Sequence, residues 1–296
     1  MEQKLFRRNF VKNGIAASAG FFLAKPFVSA NHSGVDAFSG STPKPLNETL
    51  KTIGDLHTTH GNFSGKEIPD SHLDVIKSSC IRAANSSNMQ TYSVVIVRDR
   101  KLMSDICGYS GSCLMLFNVD YTRLLASAKS LALPYYPGNM TSFITASINT
   151  ALAAQTATVA ARSLDIDSLL TNGIHRGNME RLWELLNLPE KYCMPLIALV
   201  MGYADKKPDY KTGRLSGPAI FHEGTYHVPT TNETESITKE YDDPDKHIGI
   251  NSEWKKNGFD HYLQWLFKDW LADDSKPAAS ETALFAMLKK RGFLEV

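Results

Sequence analysis

The sequence predicts an α+β or α/β fold, a sheet sandwiched between helices. Three observations carry this: segments of helical period alternate with β-rich runs, four such runs can be counted, and one of them is almost wholly apolar. Leu46 to Leu56 reads as a first helix, ending near His57-Thr58-Thr59-His60-Gly61-Asn62-Phe63. Pro69-Asp70-Ser71 offers helix-start chemistry, and Leu73, Ile76, Cys80 and Ala84 follow at spacings of three and four. The turn cluster Asn85-Ser86-Ser87-Asn88 leads into a strand, Tyr92 to Val97, closed by Arg98-Asp99-Arg100. Leu114 to Val119 is the second strand candidate.

Ser142 to Ser163 is long, rich in Ala, Thr and Ser and nearly free of charge, which suits a helix packed on all sides, in a core or at a subunit interface. Asp165 to Leu170 reads as a short strand and Asn178 to Leu186 as a helix before the turn at Leu188-Pro189. Pro195 to Tyr203 is a buried strand. Beyond Arg214 the chain becomes polar. Tyr226 to Asn251, with its acidic run Glu240 to Asp245, reads as an irregular excursion, followed by helices at about Gly258–Ala272 and Ser280–Lys290. The aromatic stripe Trp254, Tyr262, Trp265 and Trp270 favours an extension that packs over the core; covering a substrate cleft or subunit groove is the other reading.

The first thirty residues have the anatomy of an export signal. Phe6-Arg7-Arg8-Asn9-Phe10-Val11-Lys12 precedes the uncharged stretch Asn13 to Ala24, and Val28-Ser29-Ala30 is a small-residue cleavage pattern. The paired arginines point to the twin-arginine route, hence to a periplasmic protein that meets the membrane only during export. Twelve uncharged residues are too few for a span, which needs about 20; retention as an uncleaved anchor is the alternative. The domain plan is therefore a signal over 1–30, a Ser-, Gly- and Pro-rich linker over 31–45, a core domain over 46–214 and an extension over 215–296.

A net charge of +1 argues against a nucleic-acid surface. The four cysteines, Cys80, Cys107, Cys113 and Cys193, lack the spacing of a metal site and read as buried free thiols, with Cys107 and Cys113 close enough in sequence to test for a disulfide. Hydrolase and nucleotide-loop motifs are missing. Four polar elements stand out instead: His57 to Phe63 after a helix, Ser86-Ser87-Asn88-Met89-Gln90 before a strand, Thr171-Asn172-Gly173 after a strand, and Gly202-Tyr203 followed by Lys211 and Arg214.

In this order the elements resemble the nitroreductase family of FMN enzymes over about Leu46 to Arg214. In the family's opening pattern, Arg-Arg/His-Ser-x-Arg/Lys-x-Phe, Phe63 matches the terminal Phe, Thr59 the Ser, and His57 and Thr58 the leading positions. Gly61 falls where a base is usual and His57 where Arg is usual, so one cationic contact to the flavin phosphate is missing and another weakened. Ser86, Asn88 and Gln90 resemble Pro-Ser-x-x-Asn-x-Gln, with Thr91 and Tyr92 in place of Pro and Trp; amides suit the flavin's imide edge. Asn172 and Gly173 resemble the loop whose backbone approaches N5, and Lys211 and Arg214 the pair that reaches the phosphate, Arg214 with the better forked geometry.

The resemblance implies an α+β fold with a central mixed sheet, FMN as cofactor, no metal, and a homodimer with flavin at the interface. It implies an oxidoreductase passing electrons to a small oxidised substrate, nitroaromatic or quinone-like, with the flavin doing the chemistry and no side chain assigned as acid or base. The donor is NAD(P)H in the family. An exported member lacks those pools, so a quinol or periplasmic redox protein is the expected donor here. A conventional NAD(P)H-dependent nitro- or quinone reductase with a misread N-terminus, a dehydrogenating or dehalogenating branch, and a non-catalytic flavin-binding or flavinless module are the other readings.

Overall fold

The computed structural model describes residues 45–175, 178–250, 254–271 and 279–294, so the expected export signal lies outside the described residues. At its centre are β1 (Tyr92–Val97), β2 (Cys113–Asp120), β3 (Asp167–Thr171) and β4 (Cys193–Gly202), in the order β1-β2-β4-β3. The expected mixed sheet is corrected in one respect: every described pair is antiparallel. The apolar run of β4 reported burial on both faces, which a central antiparallel strand also has; it carried no information about direction.

Alternation along β2 sorts the core into two layers. Cys113, Met115 and Phe117 join Leu73, Ile76, Ala153 and Ala157 on one face, under α2 (Asp70–Cys80) and α5 (Met140–Ser163). Leu114 and Leu116 face the other way with Met103, Ile106, Leu182 and Trp183 from α3 (Arg100–Cys107) and α6 (Arg181–Leu186). Val119 also packs in this second layer, past the register shift between Phe117 and Asn118. Phe117 pairs with Ile197 and Asn118 with Pro195, so Leu196 is the extra residue, beside a proline that has no N–H for the ladder.

Helix α1 (Glu48–Gly54) is capped by Asn47, whose Oδ1 accepts from Leu50 N at 3.0 Å. Helix α2 ends at Cys80, so Ala84 lies past it and is exposed, while Ala83 is buried. The helices α3 and α4 (Thr122–Ser130) went unread in the sequence. For α3 the signals were present: Asp99 Oδ1 caps Leu102 N at 2.6 Å, and Gly108 ends the helix at φ 80°. The excursion expected over Tyr226–Asn251 contains a helix, α7 (Thr231–Asp242). Thr230 and Glu233 form its capping box, a sequence signal in its own right.

The segment expected as one helix after Gly258 is a short α8 (Tyr262–Trp265) followed by a π-helical turn, Leu266–Trp270. Trp254, Tyr262 and Trp265 bury one another, and His261 Nδ1 lies 2.6 Å from Asp242 Oδ2 of α7. Helix α9 (Ala279–Lys290) returns to the core: Met287, Leu288 and Phe293 are buried there, and the Arg291 guanidinium stacks 3.9 Å over the Trp183 ring. Helix α5 buries Ala146, Ala153, Ala154 and Ala157 but leaves Ile144, Ile148 and Leu152 exposed, so in one chain it is packed on one side only.

All four cysteines are buried and free. Burial pushes Cys107 upward from 9.0, Cys80 and Cys113 up to about 11, and Cys193 up to about 12. A thiol whose folded value is raised binds its proton longer than in the unfolded chain. Its stabilising share is complete below about pH 9 and is lost as pH climbs through the folded values. The urea midpoint is therefore expected to be flat up to about pH 9 and to fall above it, with thiol reagents reacting only on unfolding.

Candidate functional site

Two of the four polar elements meet at one end of the sheet. Phe63 forms an antiparallel bridge with Ala204, Ser64 N donates to Tyr203 O at 2.7 Å, and Asp205 N donates to Asn62 O at 2.9 Å. The Phe63 ring lies so close to the end of β4 that a Cβ on Gly202 would stand 2.9 Å from it. Thr59 N donates to Ser168 O at 2.9 Å, tying the first element to the start of β3. From the fourth element, the Lys211 ammonium donates to Gly54 O.

The third element is linked to the first through the loop after α3. A Cβ on Gly61 would lie 3.3 Å from Tyr109 Cδ1, and one on Gly173 would lie 3.6 Å from Cys107 O. Gly173 N is already used, donating to Thr171 Oγ1 at 3.0 Å; Asn172 beside it is exposed. The second element is elsewhere. It precedes Tyr92, which pairs with Val119, whereas Asp167 and Gly202 lie level with Cys113 at the other end of the strands. Within one chain, Ser86, Asn88 and Gln90 therefore sit at the opposite edge and opposite end of the sheet from His57 and Lys211.

That second element has an unusual backbone. Ser87, Asn88 and Gln90 have φ of 51°, 54° and 50°, in the left-handed region that non-glycine residues rarely occupy. The amide Nε2 of Gln90 donates to Asn88 Oδ1 at 3.3 Å, and the Arg123 guanidinium donates to Gln90 O. Ser86 and Asn88 are exposed and Gln90 half-buried.

His57 is turned inward rather than toward a ligand. Its Nδ1 is 2.9 Å from Asp55 O and its Nε2 is 3.2 Å from Asp167 Oδ1, so both ring nitrogens face oxygen acceptors. Asp167 was not singled out from the sequence, yet it is the hub here: it also accepts from Arg162 Nη1 at 2.7 Å and, through Oδ2, from Ala204 N at 2.9 Å. These groups border a cleft of about 570 Å³ that mixes Lys51, Arg162 and Lys211 with Glu48, Asp55 and Asp165. Thr58 is exposed and brings no charge. Arg214 is exposed and rests Nη1 on Thr212 O and Gly213 O at 3.1 and 2.8 Å, with the rest of its donor fork to spend.

FMN, the group the resemblance implies, fits these residues on one observation. Thr59 Oγ1 is buried with no hydrogen-bond partner among the described residues, at the position matching the family's Ser. A buried hydroxyl left unpaired is uncommon and calls for a ligand or water.

No family model matches the chain. It is similar to the FMN reductase (NADPH) of Bacillus subtilis, 28% identical over 199 residues that cover 62% of this chain and 77% of the relative. It is equally similar to the oxygen-insensitive NADPH nitroreductase of Salmonella typhimurium, 28% identical over 178 residues, 57% of this chain and 71% of that one. Among solved structures, the NfrA1 nitroreductase of B. subtilis superposes with a TM-score of 0.69 at 25% identity, over 84% of this chain and 100% of its own. In fold and in sequence the chain is similar to these FMN reductase and nitroreductase proteins.

Proposed function

We propose that this protein is an exported, homodimeric FMN-dependent oxidoreductase that passes electrons to a small oxidised substrate, nitroaromatic or quinone-like, from a donor other than NAD(P)H. The observation that carries the flavin reading is the buried hydroxyl of Thr59, unpaired among the described residues, in an element bridged to Ala204 just after β4. When bound, FMN supplies a hydride acceptor and electron carrier.

The chain's own residues bind and orient. Thr59 gives a hydroxyl, and Arg214 supplies forked donors to the phosphate; Thr58 and Gly61 supply none, so Arg214 takes a larger share than in a site with two further bases. Asn172 offers an exposed amide beside Gly173, whose own N–H is spent on Thr171 Oγ1, and Ser86, Asn88 and Gln90 offer amide and hydroxyl groups to the flavin ring. The separation of that last group from the others within one chain favours a site completed by a second copy, and the exposed stripe Ile144, Ile148 and Leu152 on α5 is a surface suited to it. The names of the relatives include NADPH as donor. The reading of a different donor rests on Arg7-Arg8 and the signal anatomy around them.

Anaerobic titration of FMN-loaded protein with NADPH and with a quinol tests the donor, and a reporter fused to residues 1–40 tests export. Slow bleaching by NADPH, fast bleaching by quinol and an exported reporter are expected. Rapid bleaching by NADPH with a cytoplasmic reporter sinks the proposal. Arg214→Ala should raise the FMN dissociation constant by at least about tenfold, the loss of a charge-assisted hydrogen bond.

A further inference from the structure

The turn from Asn85 to Thr91 holds three non-glycine residues at positive φ. Such a backbone persists only where its surroundings over-determine it. Part of the restraint is internal: Met89 N donates to Ser86 O at 3.0 Å and Gln90 N to Asn85 Oδ1 at 3.1 Å. The remainder comes from far away in sequence. Asn149, in the middle of α5 and 2% exposed, accepts from Ser86 N at 3.0 Å through Oδ1 and donates from Nδ2 to Thr91 Oγ1 at 2.9 Å. Ser86 and Thr91 are the two feet of the turn, so a single side chain grips both.

Few side chains can do this. The task needs one acceptor and one donor, on opposite branches of a short neutral group, and a primary amide has both. A carboxylate could accept from Ser86 N and from the Thr91 hydroxyl only by burying a charge, and an aliphatic side chain offers neither group. Asn is also a poor choice on helical propensity, standing here between Ala146 and Ala153 on the buried face of an alanine-rich helix. A second tie to α5 lies beside it: Asp120 N donates to Thr91 O at 3.1 Å, and the neighbouring Tyr121 hydroxyl donates to Ser142 O at 2.8 Å.

We propose that Asn149 is the positioning residue for the amide turn, fixing its two feet to α5 so that Asn88 and Gln90 are held in their left-handed conformation before any ligand arrives. This rests on the reading that the turn contacts the flavin, and it adds that α5, which also carries the exposed stripe Ile144–Ile148–Leu152, sets the geometry of that contact.

The test uses the full chain, flavin-free and FMN-titrated, as wild type, Asn149→Leu, Asn149→Asp and Thr91→Val. Hydrogen exchange is read at Ser86 and Gln90, with β2 and β4 amides as the marker of global opening. In Asn149→Leu, exchange at Ser86 and Gln90 should quicken while β2 and β4 stay protected, and the FMN dissociation constant should rise by about tenfold. Asn149→Asp keeps the acceptor for Ser86 N and should retain protection there. Thr91→Val should loosen Gln90 and leave Ser86 protected, which keeps the proposal testable if Asn149→Leu does not fold. Unchanged protection of the turn, or loosening only together with β2 and β4, would overturn it. A turn that loosens with FMN affinity unchanged leaves the positioning role standing and removes the turn from the flavin site instead.

Discussion

Asp167→Ala is expected to lower the unfolding free energy by about 3 kcal/mol, the scale of breaking a buried ion pair from one side. Asp167 and Arg162 are 15% and 16% exposed and sit 2.7 Å apart, so water cannot easily replace the lost carboxylate. After the substitution Arg162 keeps, among the described residues, Asp165 alone as an acidic partner, 96% exposed at 2.9 Å, and Ala204 N loses its acceptor. His57, 20% exposed, loses the oxygen at its Nε2. One carboxylate therefore ties the end of α5, the start of β3, the end of β4 and the first polar element together. Asp167→Asn keeps acceptor capacity and should cost about half as much. Urea unfolding checks this: the midpoint should shift with the slope unchanged. A shift within about 0.5 kcal/mol for the alanine variant, the range of surface changes, would show that the cluster is solvated and does not join these elements.

Gly111→Ala should be nearly as damaging, for a reason of space rather than charge. A Cβ there would stand 2.5 Å from Met201 O and 3.1 Å from Val200 Cγ1, and the first of these is backbone that cannot rotate away. Met201 O is also the acceptor for Ser112 N at 2.8 Å, so relief of the clash would open the entry to β2. Overpacking of this kind costs about 3 kcal/mol, which lowers the melting temperature by roughly 8 °C in a domain of this size. Gly65→Ala is the control: nothing lies within 4 Å of its added Cβ, and its melting temperature should not move. Equal behaviour of the two variants would disprove the close approach of the chain before β2 to the end of β4.

Much of the secondary structure was legible because its causes are local. Tyr92–Val97 was read to the residue from its β-branched run, and α5 and β4 were found within two residues at each end. The helices overlooked were those whose signals are short and polar: the Asp99 cap of α3 and the Thr230–Glu233 box of α7 were both in the sequence, the second hidden in a segment too polar to suggest packing. The candidate site was legible only in part. Its elements could be chosen by motif and order, but not their fates. His57 was expected to face a phosphate and instead faces Asp55 and Asp167. Ser86, Asn88 and Gln90 were expected to contact the flavin, and within one chain they lie at the far edge of the sheet from His57 and Lys211. Asp167 and Asn149 carried no signal, because one acidic residue beginning a strand and one amide in a helix are unremarkable until their partners are known.

The sequence by itself determined an α+β or α/β class, the order of the strands along the chain and the identity of the polar elements, since periodicity, capping and turn chemistry act over a few residues. Only the tertiary structure decided that the strands pair antiparallel, that Phe63 closes on Ala204, and that Asn149 grips Ser86 and Thr91 from 63 and 58 residues away. Those outcomes are set by which buried donors find which buried acceptors, and such pairs are chosen by the packing of the whole sheet and its helices rather than by their neighbours in the chain.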